Sequence, residues 1–131
     1  MTLLHAVASV AIASVLCFLL KGFSAWWRGE GFRPFGLGGM PSAHATAVGA
    51  LTMAVLIEDG WSILLLAVAV FSILFVRDAC GVRWEVTKHS EALNTLTRSK
   101  RYVRTGHTRL EAALGVVLGV VVTLLTYFLI P

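Results

Sequence analysis

The segment at residues 38–46 carries residue types that bind anions and move protons. It contains the pair Gly38-Gly39, followed by Pro41, Ser42 and His44. Glycine allows backbone conformations that other residues avoid, proline suits the first turn of a helix, and serine caps the free amides of a helix start. Those amides and the helix dipole attract anions. The segment therefore predicts a loop that enters a helix and could bind phosphate, although a plain helix start with a surface histidine would show the same pattern.

A second group has the spacing Arg101-x5-His107-x3-Glu111. On a helix that begins near His107, positions i and i+4 share a face, so Glu111 could accept a hydrogen bond from one ring nitrogen of His107 and fix its tautomer. A histidine held in this way is a nucleophile or a base. His44 would then supply a proton to a leaving group. Two histidines could also hold a metal, but the surrounding Lys and Arg residues favour an anion, so no metal ligand is predicted.

Three cations stand in the loop before the first histidine. They are Lys21, Arg28 and Arg33, all within residues 21–39. Ammonium and guanidinium groups bind phosphoryl oxygens through charge-assisted hydrogen bonds. Tryptophans beside them, Trp26 and Trp27, are typical of the headgroup level of a membrane. The loop therefore predicts a phosphate clamp at a membrane surface.

The elements that must position these groups are membrane helices. Of the 131 residues, 57% are hydrophobic and 14% are charged, and the mean hydropathy is +0.82. A helix needs roughly 20 mainly apolar residues to cross a bilayer, and apolar runs occupy residues 1–20, 44–57, 61–76 and 112–130. We expect a single all-α domain over residues 1–131, an integral membrane bundle of about four transmembrane helices. Residues 84–105 predict an amphipathic helix on the membrane surface, and Gly115 and Gly119 form a GxxxG pair suited to helix packing.

Four spans place the polar segments on alternating sides of the membrane. The segments with chemistry then share one side, which holds all eleven Lys and Arg residues. The opposite side receives Glu58, Asp59 and the chain ends. Because cationic loops stay in the cytoplasm, we expect a multi-pass protein whose site faces the cytoplasm.

These motifs resemble the superfamily of type-2 phosphatidic acid phosphatases and vanadium-dependent haloperoxidases. Its signatures K-x6-RP, PSGH and SR-x5-H-x3-D are matched in order, with substitutions, by residues 21–28, 41–44 and 101–111. The chain is more similar to a small divergent branch with the patterns GGMPSSH, DAxGVR and GHTxxE. These patterns correspond to residues 38–44, 78–83 and 106–111.

The resemblance implies a role for each matched residue. His107 would be the nucleophile that forms a phosphohistidine, Glu111 its orienting acid, and His44 the acid that protonates the leaving alcohol. The phosphate would be held by Lys21, Arg28, Ser42 and Arg101, with Arg33 as the alternative to Arg28 because Pro34 follows it. Asp78 and Arg83 match the branch pattern as supporting residues without an assigned role.

Two functions follow as hypotheses. The first is a lipid phosphatase, without metal or cofactor, that hydrolyses a phosphate monoester or a pyrophosphate on a lipid headgroup. The second is a non-catalytic membrane subunit that binds an anionic lipid or docks in a larger complex, for which the GxxxG helix would offer a surface. The expected partners are a lipid phosphate and membrane lipids, with no nucleic acid. Four short spans bury little surface, so a homodimer or a larger assembly is also expected.

Overall fold

The computed structural model describes residues 3–36, 38–98 and 105–130, and the described chain contains helices and no strand. Five α-helices follow one another: α1 (Leu3–Trp27), α2 (Ala43–Asp59), α3 (Ile63–Cys80), α4 (Val82–Thr97) and α5 (Arg109–Leu129). The all-α prediction is therefore confirmed. Arg101 lies outside the described residues, so its predicted role stays a prediction.

Three helices are long and apolar enough to cross a membrane. They are α1, α5 and the continuous stretch Ile63–Thr97, whose apolar part is α3. The remaining apolar helix, α2, has 17 residues, or about 25 Å at 1.5 Å per residue. It lies at the centre of the bundle, where it packs against α1, α3 and α5. The expected bundle of four membrane helices is thus built around its shortest member.

Polar caps define where the membrane helices begin. Ser42 caps α2, Ser62 caps α3 and Thr108 caps α5, each by accepting a hydrogen bond from a backbone N–H of the first turn. The expected serine cap before α2 is confirmed. Pro41, in contrast, precedes the cap and lies outside the first helical turn. The last helix begins at Arg109, two residues after His107.

Small residues bring α2 and α5 into close contact. A Cβ atom on Gly49 would lie 2.8 Å from the carbonyl oxygen of Val116, and one on Gly115 would lie 2.6 Å from that of Ser42. Gly119 approaches the α2 backbone at Thr46 in the same way. The GxxxG pair therefore serves packing inside the bundle, as expected, and is not an exposed surface for a partner.

Helix α4 continues directly from α3 and is amphipathic. Its apolar side chains Val86, Leu93 and Leu96 are exposed, as expected for a helix whose apolar face meets lipid at the membrane surface. Its polar side includes Thr87, which is buried against the chain that leads to α5. An amphipathic helix is confirmed, but it begins at Val82 and ends at Thr97, whereas the predicted segment extends to residue 105. Helix α4 also holds the loop before α5.

Candidate active site

A cavity of about 290 Å³ lies between the end of α1, the start of α2, the start of α4 and the loop before α5. The polar side chains that line it are Ser14, Lys21, His44, Arg83, Thr105 and His107. These residues are far apart in sequence. The structure therefore brings both predicted histidines and two cations to one cavity.

The ring of His107 is buried and is fixed through one nitrogen. Its side chain is 5% exposed. The Nδ1 atom lies 3.0 Å from the carbonyl oxygen of Gly39 and 3.5 Å from Oε2 of Glu111. Because both neighbours are acceptors, the neutral ring carries its proton on Nδ1. The free lone pair is then on Nε2, which is the nitrogen that could attack a substrate.

Glu111 is placed beside His107 by a capping box rather than by a helical turn. Its Oε2 accepts a hydrogen bond of 3.0 Å from the backbone N–H of Thr108, and its own N–H donates to Oγ1 of Thr108. Its carbonyl oxygen accepts a bond of 3.2 Å from the backbone N–H of Ser42. Glu111 therefore joins the starts of α2 and α5 and contacts the ring of His107 from there.

The surroundings of His107 favour its neutral form. Burial lowers the pKa of His107 below its ordinary value, and the positive charge of Lys21 lowers it further. The carboxylate of Glu111 and the carbonyl of Gly39 act in the opposite direction without restoring the ordinary pKa. The imidazole is therefore neutral at pH 7 and retains a lone pair.

The chain before α5 is held against α3 and α4. The Oγ1 atom of Thr87 accepts bonds of 3.1 Å from the backbone N–H groups of Thr105 and Gly106. The backbone N–H of His107 donates to the carbonyl of Ala79 at 3.0 Å. A Cβ on Gly106 would lie 2.5 Å from Cα of Trp84, so only glycine fits there without a shift. These contacts fix the backbone from which His107 enters the cavity.

The two glycines before α2 form the turn that faces His107. Both have positive φ angles, 68° for Gly38 and 80° for Gly39, a conformation that favours glycine. A Cβ on Gly39 would lie 3.6 Å from Nη2 of Arg28 and 3.9 Å from Cε of Lys21. The turn therefore lies beside the side chains of Arg28 and Lys21, and its Gly39 carbonyl contacts the ring of His107.

Arg83 reaches the cavity as part of an ion pair. Its Nε lies 2.7 Å from Oδ2 of Asp78, and both side chains are partly exposed. The two cations Arg83 and Lys21 and the carboxylate of Asp78 lie close enough to His44 to affect its electrostatic environment. Asp78 thus holds the guanidinium of Arg83 at the cavity, where its remaining N–H groups can bind an anion.

Some predicted phosphate ligands lie elsewhere. Ser42 is fully buried and its Oγ caps α2, so it does not line the cavity. Arg28 is exposed, stands beside the glycine turn and pairs with Glu30 at 3.1 Å. Arg33 is exposed in the loop and does not line the cavity. Neither alternative lines the cavity, and the guanidinium of Arg28 lies beside Gly39 of the glycine turn.

Two features of the site were not found from the sequence. The carbonyl of Gly39 is a backbone group with no sequence signature of its own. Thr87 is difficult to identify from the sequence, because its charged neighbours in α4 suggest that this part of the helix faces solvent. The sequence also assigns no role to Arg83, although Arg83 belongs to the DAxGVR pattern.

The fold and the site define a class: a small helical membrane protein in which two histidines and two cations line a cavity at one end of the bundle. Residues 1–122 match the divergent PAP2 family, and the chain belongs to that family. It is also 42% identical over 60 residues to the uncharacterized membrane protein YuiD of Bacillus subtilis strain 168. That match covers 45% of this chain and 38% of the relative, so it spans less than half of either protein. No solved structure matches the chain.

Proposed function

We propose that this protein is a metal-independent lipid phosphatase that releases phosphate from a monoester or pyrophosphate on a lipid headgroup. The observation that carries the proposal is the position of the His107 ring. The ring is buried, its Nδ1 is held by the carbonyl of Gly39, and it lines the same cavity as His44. A neutral imidazole fixed in this way is a nucleophile. The family relationship supports the same chemistry.

In the first step, Nε2 of His107 attacks phosphorus and forms the N–P bond of a phosphohistidine. The bond from phosphorus to the leaving oxygen breaks, and that oxygen takes a proton from His44. The ammonium of Lys21 and the guanidinium of Arg83 bind the other phosphoryl oxygens and stabilise their charge in the transition state. Arg28 and Arg101 would extend this set of cations.

In the second step, a water molecule attacks the phosphohistidine. His44, now neutral, removes a proton from the water, and the N–P bond breaks. Inorganic phosphate leaves, the neutral ring of His107 is restored, and His44 is again protonated. His44 therefore acts as acid and then as base.

We propose that the site faces the cytoplasm. The Lys and Arg residues of the described chain share the end of the bundle that holds the cavity, and cation-rich loops remain on the cytoplasmic side of a membrane. The substrate would then be a lipid of the cytoplasmic leaflet, with its phosphate in the cavity and its apolar part in the bilayer.

The test is phosphate release by the purified protein from a panel of lipid monophosphates and lipid pyrophosphates in the presence of chelator. We expect turnover by the wild type and none by His107→Ala, because the attacking atom is gone. Rapid denaturation during turnover with radiolabelled substrate should trap a label that is stable in base and labile in acid, as a phosphohistidine is. The matched control is His89→Ala, since His89 is exposed on α4 and does not line the cavity. Undiminished turnover by His107→Ala would overturn the mechanism.

A second variant tests His44. We expect His44→Ala to slow hydrolysis of a lipid alcohol ester by about 10²–10⁴-fold, the usual contribution of acid–base catalysis. With an aryl phosphate, whose leaving group needs little protonation, the loss in the first step should be much smaller. An equal loss in kcat/KM, which reports on the first step, with both substrates would exclude His44 as the acid.

The same measurements address the non-catalytic alternative. A subunit without activity would show no turnover with any lipid phosphate, and would be isolated with a partner in fixed proportion. The buried GxxxG pair removes one of the reasons for that alternative.

A further inference from the structure

A second concave surface lies on the other side of α2 from the cavity, between α3 and α5. Both helices pack on α2 but scarcely contact each other. The space between them holds a cavity of about 540 Å³ and another of about 460 Å³, and the two share Val76, Arg77 and Val116 in their walls. Together they form one continuous surface, here called the α3–α5 groove.

The groove is apolar over most of its length. Its walls include Met53, Leu56, Ile73 and Val120. The two hydroxyl groups within it, of Thr52 and Ser72, lie 2.9 Å apart and each lies 2.7 Å from a carbonyl of its own helix. These hydroxyls are therefore satisfied without a ligand. This part of the groove suits a hydrocarbon chain.

One end of the groove carries two cations. Arg77 lies in the last turn of α3 and Arg109 is the first residue of α5, and both line the 460 Å³ cavity. Neither makes a side-chain hydrogen bond or ion pair with another residue in the part of the chain that the structure describes. A cation at a helix start, as at Arg109, is also disfavoured by the helix dipole. An anion held in this cavity would offset both positive charges and the unfavourable position of Arg109 at the helix start.

The dimensions fit one lipid leaflet. From Arg109 to Val120 along α5 the groove extends over about 16 Å, at 1.5 Å per residue. Half of the roughly 30 Å hydrocarbon core is about 15 Å. A lipid with its phosphate between Arg77 and Arg109 would therefore lay one acyl chain along the groove as far as Leu56 and Val120.

We propose that the α3–α5 groove is a binding site for a single anionic glycerophospholipid, separate from the catalytic cavity. The catalytic cavity uses Ala43, His44 and Ala47 of α2, whereas the groove uses other residues of that helix. A second copy of the chain fits less well, because a symmetric dimer through this face would bring the arginine pair of each copy towards that of the other. The bound lipid would fill the gap between α3 and α5 and hold the two helices together.

The experiment measures binding of phosphatidylglycerol to the full chain in mild detergent by native mass spectrometry, with phosphatidylcholine as the comparison. We expect one phosphatidylglycerol per chain and much weaker binding of phosphatidylcholine, whose headgroup has no net charge. Replacing both cations, Arg77→Gln with Arg109→Gln, should weaken phosphatidylglycerol binding about thirtyfold, at roughly 1 kcal/mol per cation. Lys88→Gln removes one exposed cation of α4 away from the groove and should leave binding unchanged.

A second pair of variants tests the apolar part. Ala69→Phe would fill the groove and should reduce binding, whereas Ala67→Phe, on the exposed face of the same helix, should not. The proposal is overturned if phosphatidylcholine binds equally well, or if neither the arginine pair nor Ala69→Phe affects binding. Disulfide cross-linking of two chains through Ile73→Cys would assign the groove to a second copy and would also overturn it.

Discussion

The ring of His107 is held chiefly by a backbone carbonyl, with a carboxylate as the more distant neighbour. The carbonyl of Gly39 lies 3.0 Å from Nδ1, whereas Oε2 of Glu111 lies at 3.5 Å and also binds the N–H of Thr108. A carbonyl fixes the tautomer but attracts an imidazolium less strongly than a close carboxylate would. Burial and the charge of Lys21 can therefore keep the ring neutral.

This balance predicts the pH dependence of the reaction. The nucleophile is the neutral ring, so kcat/KM falls as the pH drops through the pKa of His107 in the free protein. Since that pKa is lowered, the acidic limb should lie below the ordinary value of about 6.5. Lys21→Met removes a positive charge that opposes protonation, so the pKa of His107 should rise and the acidic limb should move to higher pH.

The measurement is a pH profile of kcat/KM for the wild type, Lys21→Met and the control Lys88→Met. Lys21→Met is also expected to lower activity at every pH, because it removes a phosphate ligand, but only the position of the limb reports on His107. An acidic limb that stays in place in Lys21→Met would show that Lys21 does not set the pKa of His107.

At the scale of elements, α4 is a support for the site as well as a surface helix. Thr87 accepts two N–H groups from the segment before α5 and donates to the carbonyl of Arg83 at 3.1 Å. The same side chain therefore ties the backbone near His107 to the turn that carries Arg83. Thr87 is a positioning residue, since it does not line the cavity.

Thr87→Val keeps the shape of the side chain but removes its acceptor. Two backbone N–H groups then lose their partner, at about 1–3 kcal/mol for each buried group left unsatisfied. We expect a lower melting temperature, faster hydrogen exchange at Thr105 and Gly106, and a lower kcat. Thr87→Ser, which keeps the hydroxyl, should recover most of each.

The matched control is Thr95→Val on the same helix. Thr95 is exposed, and among the described residues its hydroxyl bonds only to the carbonyl of Glu91 in its own helix. Its loss should leave exchange at Thr105 and Gly106 unchanged. Equal effects of the two valine variants would indicate a general weakening of α4 and would contradict a specific role for Thr87.

The apolar spans and the serine cap of α2 could be predicted because their signals are local. The end of α1 could not, since the helix continues to Trp27 through the first part of the predicted loop 21–39 and therefore carries Lys21. The contacts that complete the site are long-range: Gly39 to His107, Thr87 to Gly106, and Arg83 to the cavity. Each depends on how three or four segments meet, which spacing within one segment does not encode. The expectation for Glu111 was right about its neighbour but not about the local geometry, because a capping box replaces the expected helical turn.

At the scale of the whole molecule, the small residues at the centre of the bundle position the helix starts that carry the site. Gly49, Gly115 and Gly119 let α2 and α5 approach closely, and this contact sets the starts of the two helices side by side. The N–H of Ser42 then reaches the carbonyl of Glu111, and His44 and His107 line one cavity. Sequence alone could assign both histidines to one side of the membrane, but only the packing brings them together.

The distribution of charge predicts the orientation of the molecule in the membrane. The cavity and every Lys and Arg of the described chain belong to one end of the bundle, so that end should lie in the cytoplasm.

The test uses a background with Cys17→Ala and Cys80→Ala, which removes both native thiols. Single cysteines are then placed at two exposed positions, His89→Cys on α4 and Asp59→Cys at the opposite end of the bundle. A membrane-impermeant maleimide should label Asp59→Cys in intact cells, and His89→Cys only after lysis, while the cysteine-free background stays unlabelled. The reverse pattern would place the cavity on the outer face and would assign the substrate to the outer leaflet, with the chemistry of His107 unaffected.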